Sequence, residues 1–484
     1  MLGRRSFKSD ESFLEKLTIG AVGTRAVFED LKRQKHEPIE LERGSMSYKL
    51  WKSIKIKRLR VPDLLCLRCS ARVEARAKTK LELSMSHSTS DPARGWDRGL
   101  TDRDMVAFSL CRKTGEGPTD WAAANLIQYV PVSALRKAFK ADQVVAERPK
   151  GAQEGFELRV TWPATIASMD GVVTEVTKER VTYKRDGGRS IGLRLGRKGL
   201  VLKPLVKVGD TVRESQVMAS VVPAGATFPC GAGANERTYL ALLGSSSVEE
   251  RYTAAKALSS FRSGAASKAL RGRMDDAKEH VYVRLDSAAS LARQGDPAGM
   301  AFIGQTLQDP YLENQLEAVI ILGEIRSGES EKALTDVLLD KARHPEIRAG
   351  AAWALGELNQ ASSADALMQT FLEMDETVRT EAARALRRLA QLAALDLTPS
   401  LKSSQGDQRA GVAWAIAQSG KVDARALAEA LVDDDARRWV AYIIGSQRED
   451  QYLGQLESMK KRDPEVYFAI TVLWKILSSW IQKI

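Results

Sequence analysis

The chain has 484 residues, 44% of them hydrophobic and 28% charged, enough for several hydrophobic cores and typical of a soluble globular protein. Its apolar stretches stay short of the roughly 18 residues a membrane helix needs, and the start, MLGRRSFKSDESFLEKL, lacks the apolar run of a secretory signal. Four cysteines do not make a disulfide framework, so a cytoplasmic, reducing compartment and no membrane partner are expected.

The net charge of +11 is unevenly spread. Residues 1–232 hold 42 Lys and Arg against 27 Asp and Glu, a net +15, and the remainder is net −4. Between 43 and 80 stand twelve basic residues and two acids, Asp63 and Glu74. A block of that kind neutralises several phosphates, the dominant contribution to nucleic-acid affinity, although a solvated basic face has the same composition. The candidate phosphate contacts are Lys49, Lys52, Lys55, Lys57, Arg58 and Arg60.

In chain order, SDESFLEKLTIGAVGTRAVFEDLKRQ places Leu14, Leu17, Ala21, Val27, Phe28 and Leu31 at helical spacing. A short strand follows at PIELERG, then a helix or loop at MSYKLWKSI, a strand at KRLRVPDLLC and a tight turn at CLRCSA. RVEARAKTKLELSM reads as one long strand. Alternation sets Glu74, Arg76, Lys78, Lys80 and Glu82 on a charged face and Val73, Ala75, Ala77, Leu81 and Leu83 on a packing face. Two adjoining strands then bring Asp63 and Glu74 to one end of a sheet, where paired carboxylates hold a divalent ion such as Mg²⁺. Cys66-Leu-Arg-Cys69 has the spacing of half a zinc knuckle, for which His87 and Cys111 are candidate further ligands; two unligated thiols in a hairpin are the alternative.

These residues resemble the PD-(D/E)XK nuclease fold over about 140 residues: Pro62-Asp63 matches the first half of the motif and Glu74 the second. The helix-then-strand order fits, as do a later strand, DMVAFSLCRK, and a closing strand and helix, IQYVPVSALRKAF. The resemblance implies Mg²⁺ on Asp63 and Glu74 and a cation beside the scissile phosphate. Arg76 stands where the family carries its lysine, with Lys78 two residues on. The family's first-helix carboxylate falls near Arg25, and Glu29, one turn later, is its candidate substitute.

From 158 to 225 short strands alternate with Gly-rich turns; Val181 and Tyr183 alternate with Thr182 and Lys184, and Asp186-Gly187-Gly188 signals a hairpin. The run from Pro204 to Val212, followed by Gln216 to Ala219, resembles the barrel-sandwich hybrid of biotinyl and lipoyl domains and of RNA polymerase subunits. A carrier needs an exposed hairpin lysine, and SVVPAGATF after Ala219 has none.

From about residue 238 a polar lead-in and an Ala-rich apolar run recur eight times, centred on Leu258, Leu291, Leu322, Leu355, Leu386, Ile416, Ile444 and Leu473. Each unit reads as two amphipathic helices that bury their apolar faces only by stacking on neighbours. The units resemble short bacterial HEAT repeats, which implies a scaffold gripping another macromolecule; such repeats also occur in phycobilin lyases, so they do not choose a partner. The sequence therefore predicts a multidomain chain: an α/β nuclease-like domain at 1–150, a small all-β barrel-sandwich at 158–225, a linker at 226–237 and an α-solenoid of HEAT-like repeats at 238–484. The leading functional expectation is a DNA-binding protein with Mg²⁺-dependent phosphodiester hydrolysis and a repeat surface for DNA or protein. The competing one is a non-enzymatic scaffold for protein complexes.

Overall fold

The computed structural model describes residues 10–46, 59–148 and 157–446, apart from 116, 118, 186, 187, 198, 393, 394 and 421, together with 460, 464, 465, 467 and 468. Two compact units divide at Ala269 and Leu270.

In the first unit, helix α1 (Asp10–Arg33) lies on a five-stranded sheet ordered β1 (Pro38–Glu40), β2 (Leu64–Cys66), β3 (Arg72–Lys78), β5 (Met105–Lys113), β6 (Trp121–Pro131). Strands β3 and β5 run parallel and the other neighbours antiparallel. The helical spacing read from the sequence is the reason: Val27 and Leu31 point into the sheet and are buried against Val73, Ala75, Ala107 and Ile127. Gly23 permits this seat, because a Cβ there would stand 2.5 Å from the Cβ of Ala77.

The predicted long strand is interrupted. β3 ends at Lys78, and the chain resumes as β4 (Ser84–Ser88) in a second sheet with β8 (Glu157–Thr161) and β7 (Val145–Glu147). Leu81 and Leu83 cause the break: both turn into a core that also holds Phe108, Val130 and Leu135, the last on helix α2 (Val132–Lys140). That core continues into Val160, Trp162, Val217 and Val222, beside a second core formed by Val173, Val181, Tyr183 and Val212. The Trp162 indole N–H donates to the Leu135 carbonyl oxygen at 3.1 Å.

The following segment is all β: β9 (Ala164–Ile166), β10 (Gly171–Val176), β11 (Arg180–Lys184), β12 (Ser190–Arg194), β13 (Gly196–Arg197), β14 (Leu200–Val201), β15 (Lys203–Pro204), β16 (Thr211–Val212) and β17 (Val217–Ser220). They form sheets ordered β12-β11-β10-β16 and β15-β17-β9, with β13 and β14 as a pair. Val181 and Tyr183 are fully buried, as their alternation predicts. The stretch expected to be a linker, 226–237, is held to this unit: the Ala226 carbonyl accepts from Gln34 Nε2 at 3.4 Å, the Ala234 N–H donates to the Arg68 carbonyl at 2.9 Å, and just before it Gly225 exchanges both main-chain hydrogen bonds with Tyr129 of β6. Helices α3 (Glu236–Leu243) and α4 (Val248–Ala257) complete this unit, and α5 (Gly264–Asp275) spans the division.

The second unit is helical. Its elements are α6 (Val281–Arg293), α7 (Pro297–Thr306), α8 (Leu312–Glu324), α9 (Gly328–Leu339), α10 (Pro345–Leu358), α11 (Ala364–Gln369), α12 (Glu376–Leu392), α13 (Thr398–Ser403), α14 (Gly406–Ser419), α15 (Ala424–Glu429) and α16 (Asp434–Gly445). The second helix of each pair stacks on the next, running α6, α8, α10, α12, α14, α16. Leu291, Leu322, Leu355, Leu386, Ile416 and Ile444 are all buried along this seam, and Leu258 is buried in the 3-10 turn after α4. Leu473 lies outside the described residues. Small residues make the spacing possible: a Cβ on Gly323 would sit 3.0 Å from that of Ala354 on the neighbouring helix.

One recurring feature escaped the sequence reading. Arg284, Arg348 and Arg409 each donate Nε–H to a carbonyl in the final turn of the preceding helix, at Met274 (2.9 Å), Leu338 (2.8 Å) and Leu401 (3.0 Å). Each guanidinium meets carbonyls that lack an intrahelical partner, at the negative end of the helix dipole.

Candidate functional site

The acidic pair sits where β2 leaves β3. Leu64 faces Val73 and Leu65 faces Arg72 in the antiparallel register, which puts Asp63 opposite Glu74 one step further on, with their side chains toward the same side of the sheet. Asp63 Oδ2 accepts the Ala75 N–H at 2.8 Å, replacing a ladder bond that ends with the strand. Glu74 Oε1 lies 2.5 Å from Arg76 Nη2. Burial works against the Arg76 charge, but Glu74, Asp63 and Glu42 outweigh it and raise its pKa. The charged face of β3 is only partly solvated: Arg72, Asp63 and Glu74 are buried, Arg72 pairs with buried Asp104 at 2.6 Å, and the Arg76 side chain stays 43% exposed.

The other proposed catalytic groups point elsewhere. Lys78 Nζ donates to the carbonyl and hydroxyl oxygens of Ser84 at 2.5 and 3.1 Å, drawn there by the bend into β4. Burial, with Arg76 beside it, pushes the Lys78 ammonium down to about 8. Glu29 is exposed and pairs with Lys32 at 3.1 Å, because the face of α1 turned to the sheet carries Val27 and Leu31 instead. Lys49, Lys52, Lys55, Lys57 and Arg58 lie outside the described residues, and Arg60 is exposed. Among the described residues, no third Asp, Glu, His or Cys joins Asp63 and Glu74 in a metal-sized cluster.

Such a cluster exists on the other side of β2. His36, Cys66, Cys69 and Cys230 bring one ligand atom each to within 4.8 Å of all the others. Cys66 ends β2, and Cys69 lies in the turn closed by the Ser70 N–H to Cys66 carbonyl bond at 2.9 Å. Ser70 has a positive φ of 55° that lets this turn tighten. His36 follows α1, whose end is closed by its own N–H to the Leu31 carbonyl at 3.0 Å. Cys230 arrives on the pinned segment after Gly225. The Cys66 and Cys230 sulfurs are 3.9 Å apart, and Cys69 Sγ is 3.6 Å from His36 Nδ1. A hydrogen bond from the Cys69 thiol, helped by the Glu37 N–H at 3.4 Å, lowers the Cys66 pKa, while the same bond and burial raise that of Cys69.

Cys66 and Cys69 thus share one turn, and the two further candidates named from the sequence, His87 and Cys111, lie outside this cluster. His87 Nδ1 accepts the Trp96 N–H at 3.3 Å and its ring packs edge-on against Phe139. Cys111, on β5, directs its sulfur to the Ile19 carbonyl at 3.7 Å, and burial pushes its thiol up to about 11. Those two candidates rested on the strands expected beside the turn, whereas the residues that gather at it lie 30 residues before and 164 after Cys66.

Comparison with known proteins bears on the helical region. Residues 300–387 match the family of HEAT repeats. The complex of CpcE and CpcF of phycocyanin lyase from Nostoc sp. PCC7120 is similar at 19% identity and a TM-score of 0.27, over 53% of this chain and 100% of that one. Human deoxyhypusine hydroxylase is similar at 18% identity and a TM-score of 0.24, over 43% and 96%. The archaeal HEAT-like repeats protein from Thermococcus onnurineus NA1 stands at 13% and 0.24, over 44% and 97%. No curated protein matches. The C-terminal region is a solenoid of HEAT-type helical repeats, preceded by a region of mixed sheets. No helix among the described residues is long and apolar enough to cross a membrane.

Proposed function

We propose that the chain is a non-enzymatic scaffold whose HEAT repeats hold a protein partner. The observation that carries this reading is a set of large apolar side chains left in solvent where the chain enters the second helix of a repeat. Met374 is 96% exposed, Tyr311 67% and Val432 48%, although the seam beside them is fully buried. Met374 and Val432 each precede a capping aspartate, Asp375 or Asp433, whose carboxylate accepts a backbone N–H of the helix. A hydrophobic staple would bury that position against the helix. Exposed instead, and repeated, these side chains suit a partner better than they suit water. The β-rich segment, read as barrel-sandwich-like, gives structural support. The test is to replace Tyr311, Met374 and Val432 by Ser together and compare captured proteins by quantitative mass spectrometry. A partner lost by a variant that keeps its helical circular dichroism supports the scaffold; an unchanged set of partners refutes this surface.

A second reading rests on the opposed Asp63 and Glu74 beside Arg76 and on the basic block: a DNA-binding, nuclease-like domain in bacterial genome maintenance or defence. The two carboxylates would hold Mg²⁺, which would polarise a phosphodiester. Steep salt dependence of DNA binding, lost on neutralising Lys55, Lys57, Arg58 and Arg60, and Mg²⁺-dependent cleavage lost in Asp63→Asn or Glu74→Gln, would favour it over the scaffold. Each acid is already engaged within the fold, by Ala75 and Arg76, which is why the reading comes second.

A further inference from the structure

We infer that His36, Cys66, Cys69 and Cys230 form a structural zinc site that fastens the end of α1 and the β2–β3 turn to the segment leading into the repeats. A zinc ion about 2.3 Å from each sulfur and about 2.0 Å from nitrogen imposes edges of about 3.5–3.8 Å on its tetrahedron. The 3.9 Å between Cys66 and Cys230 and the 3.6 Å between Cys69 and His36 Nδ1 are of that size. The sulfur–sulfur distance is far longer than the roughly 2.05 Å of a disulfide.

The surroundings prepare the ligands. His36 Nε2 lies 2.6 Å from the Phe228 carbonyl oxygen, so that nitrogen carries the proton and Nδ1 turns its lone pair to the sulfurs. A second hydrogen bond that sets the tautomer and the ring plane in this way is characteristic of a metal-bound histidine. Phe228 also stacks on the imidazole, with centroids 4.8 Å apart. The Glu37 N–H to Cys66 Sγ contact favours a thiolate. The turn is held by its main chain as well: the Tyr239 hydroxyl donates to the carbonyls of Cys66 and Leu67, and the Ala234 N–H donates to that of Arg68.

Four protein ligands fill a tetrahedral shell, so the role is structural rather than catalytic. Closing a span of almost two hundred residues, the ion would restrict the unfolded chain strongly. This inference does not depend on which partner the repeats bind.

The test is the metal content of the full-length protein, purified without chelator and measured by inductively coupled plasma mass spectrometry. One equivalent of zinc is expected, falling to a small fraction in Cys66→Ser, Cys230→Ser and His36→Ala and unchanged in Cys111→Ser. Because ligand variants can fail to fold, the wild-type protein is also exchanged with Co²⁺. An intense sulfur-to-cobalt charge-transfer band with tetrahedral d–d bands supports the site. Zinc-free wild-type protein that yields no such band with Co²⁺, or full zinc retention in a folded Cys230→Ser protein, overturns it.

Discussion

Asp63 reaches across from the end of β2 to accept the Ala75 N–H of β3 at 2.8 Å, so a carboxylate finishes a β-ladder where the partner strand runs out. The residue that the sequence offers as a metal ligand is in this fold a cross-strand clamp, and its charge also helps hold Arg76.

Asp63→Ala should therefore lower stability by about 1–3 kcal/mol, the cost of stranding a buried amide. Asp63→Asn keeps an acceptor and should lose clearly less. Urea denaturation of both variants decides; equal losses would mean that the charge, not the amide bond, is what counts.

Lys78 should make stability depend on alkaline pH. Its ammonium titrates at about 8 in the folded chain against an ordinary 10.5, so between those values the unfolded chain binds more protons. The stability of the wild type should accordingly rise relative to Lys78→Met as pH climbs from 8 toward 10.5, with the penalty for burying the charge fully present below 8. Parallel denaturant midpoints at pH 7 and pH 10 provide the check, and a constant difference between the two proteins would contradict the burial argument.

Arg409 is buried, on α14, and its guanidinium bonds Asp433 at 2.7 and 3.1 Å, Asp435 at 2.8 Å and the Leu401 carbonyl. Arg409→Met should cost about 2 kcal/mol, since the carboxylates are part-exposed and water recovers some of the loss. Hydrogen bonds from Arg409 and the Ala436 N–H lower the Asp433 pKa, so its contribution is full at neutral pH and is lost as pH falls through the carboxylate range. Acid titration should thus shrink the gap between wild type and variant.

Two glycines of α7 separate packing from propensity. A Cβ on Gly299 would meet the Ala288 carbonyl oxygen at 2.3 Å and the Ala292 nitrogen at 2.6 Å, both main chain, so Gly299→Ala must push α6 and α7 apart and should cost about 1–3 kcal/mol. Gly304 has nothing within 4 Å, and Gly304→Ala should stabilise by about 0.5–1 kcal/mol. Thermal melts of the two variants should move in opposite directions.

Local periodicity made the helical repeats, α1 and the alternation of Val181 and Tyr183 legible in the sequence, because a buried face imprints its period on neighbouring residues. That Cys66 and Cys69 stand side by side was legible too, because two thiols three residues apart share one tight turn. What no window of sequence contains is the approach of distant segments. Only the tertiary structure brought His36 and Cys230 to that turn in place of His87 and Cys111, turned Lys78 to Ser84 and Glu29 to solvent, and set Trp162 in one core with Phe108 and Leu135. Pairings of that kind are chosen by burial over the whole chain, to which spacing along the sequence is blind.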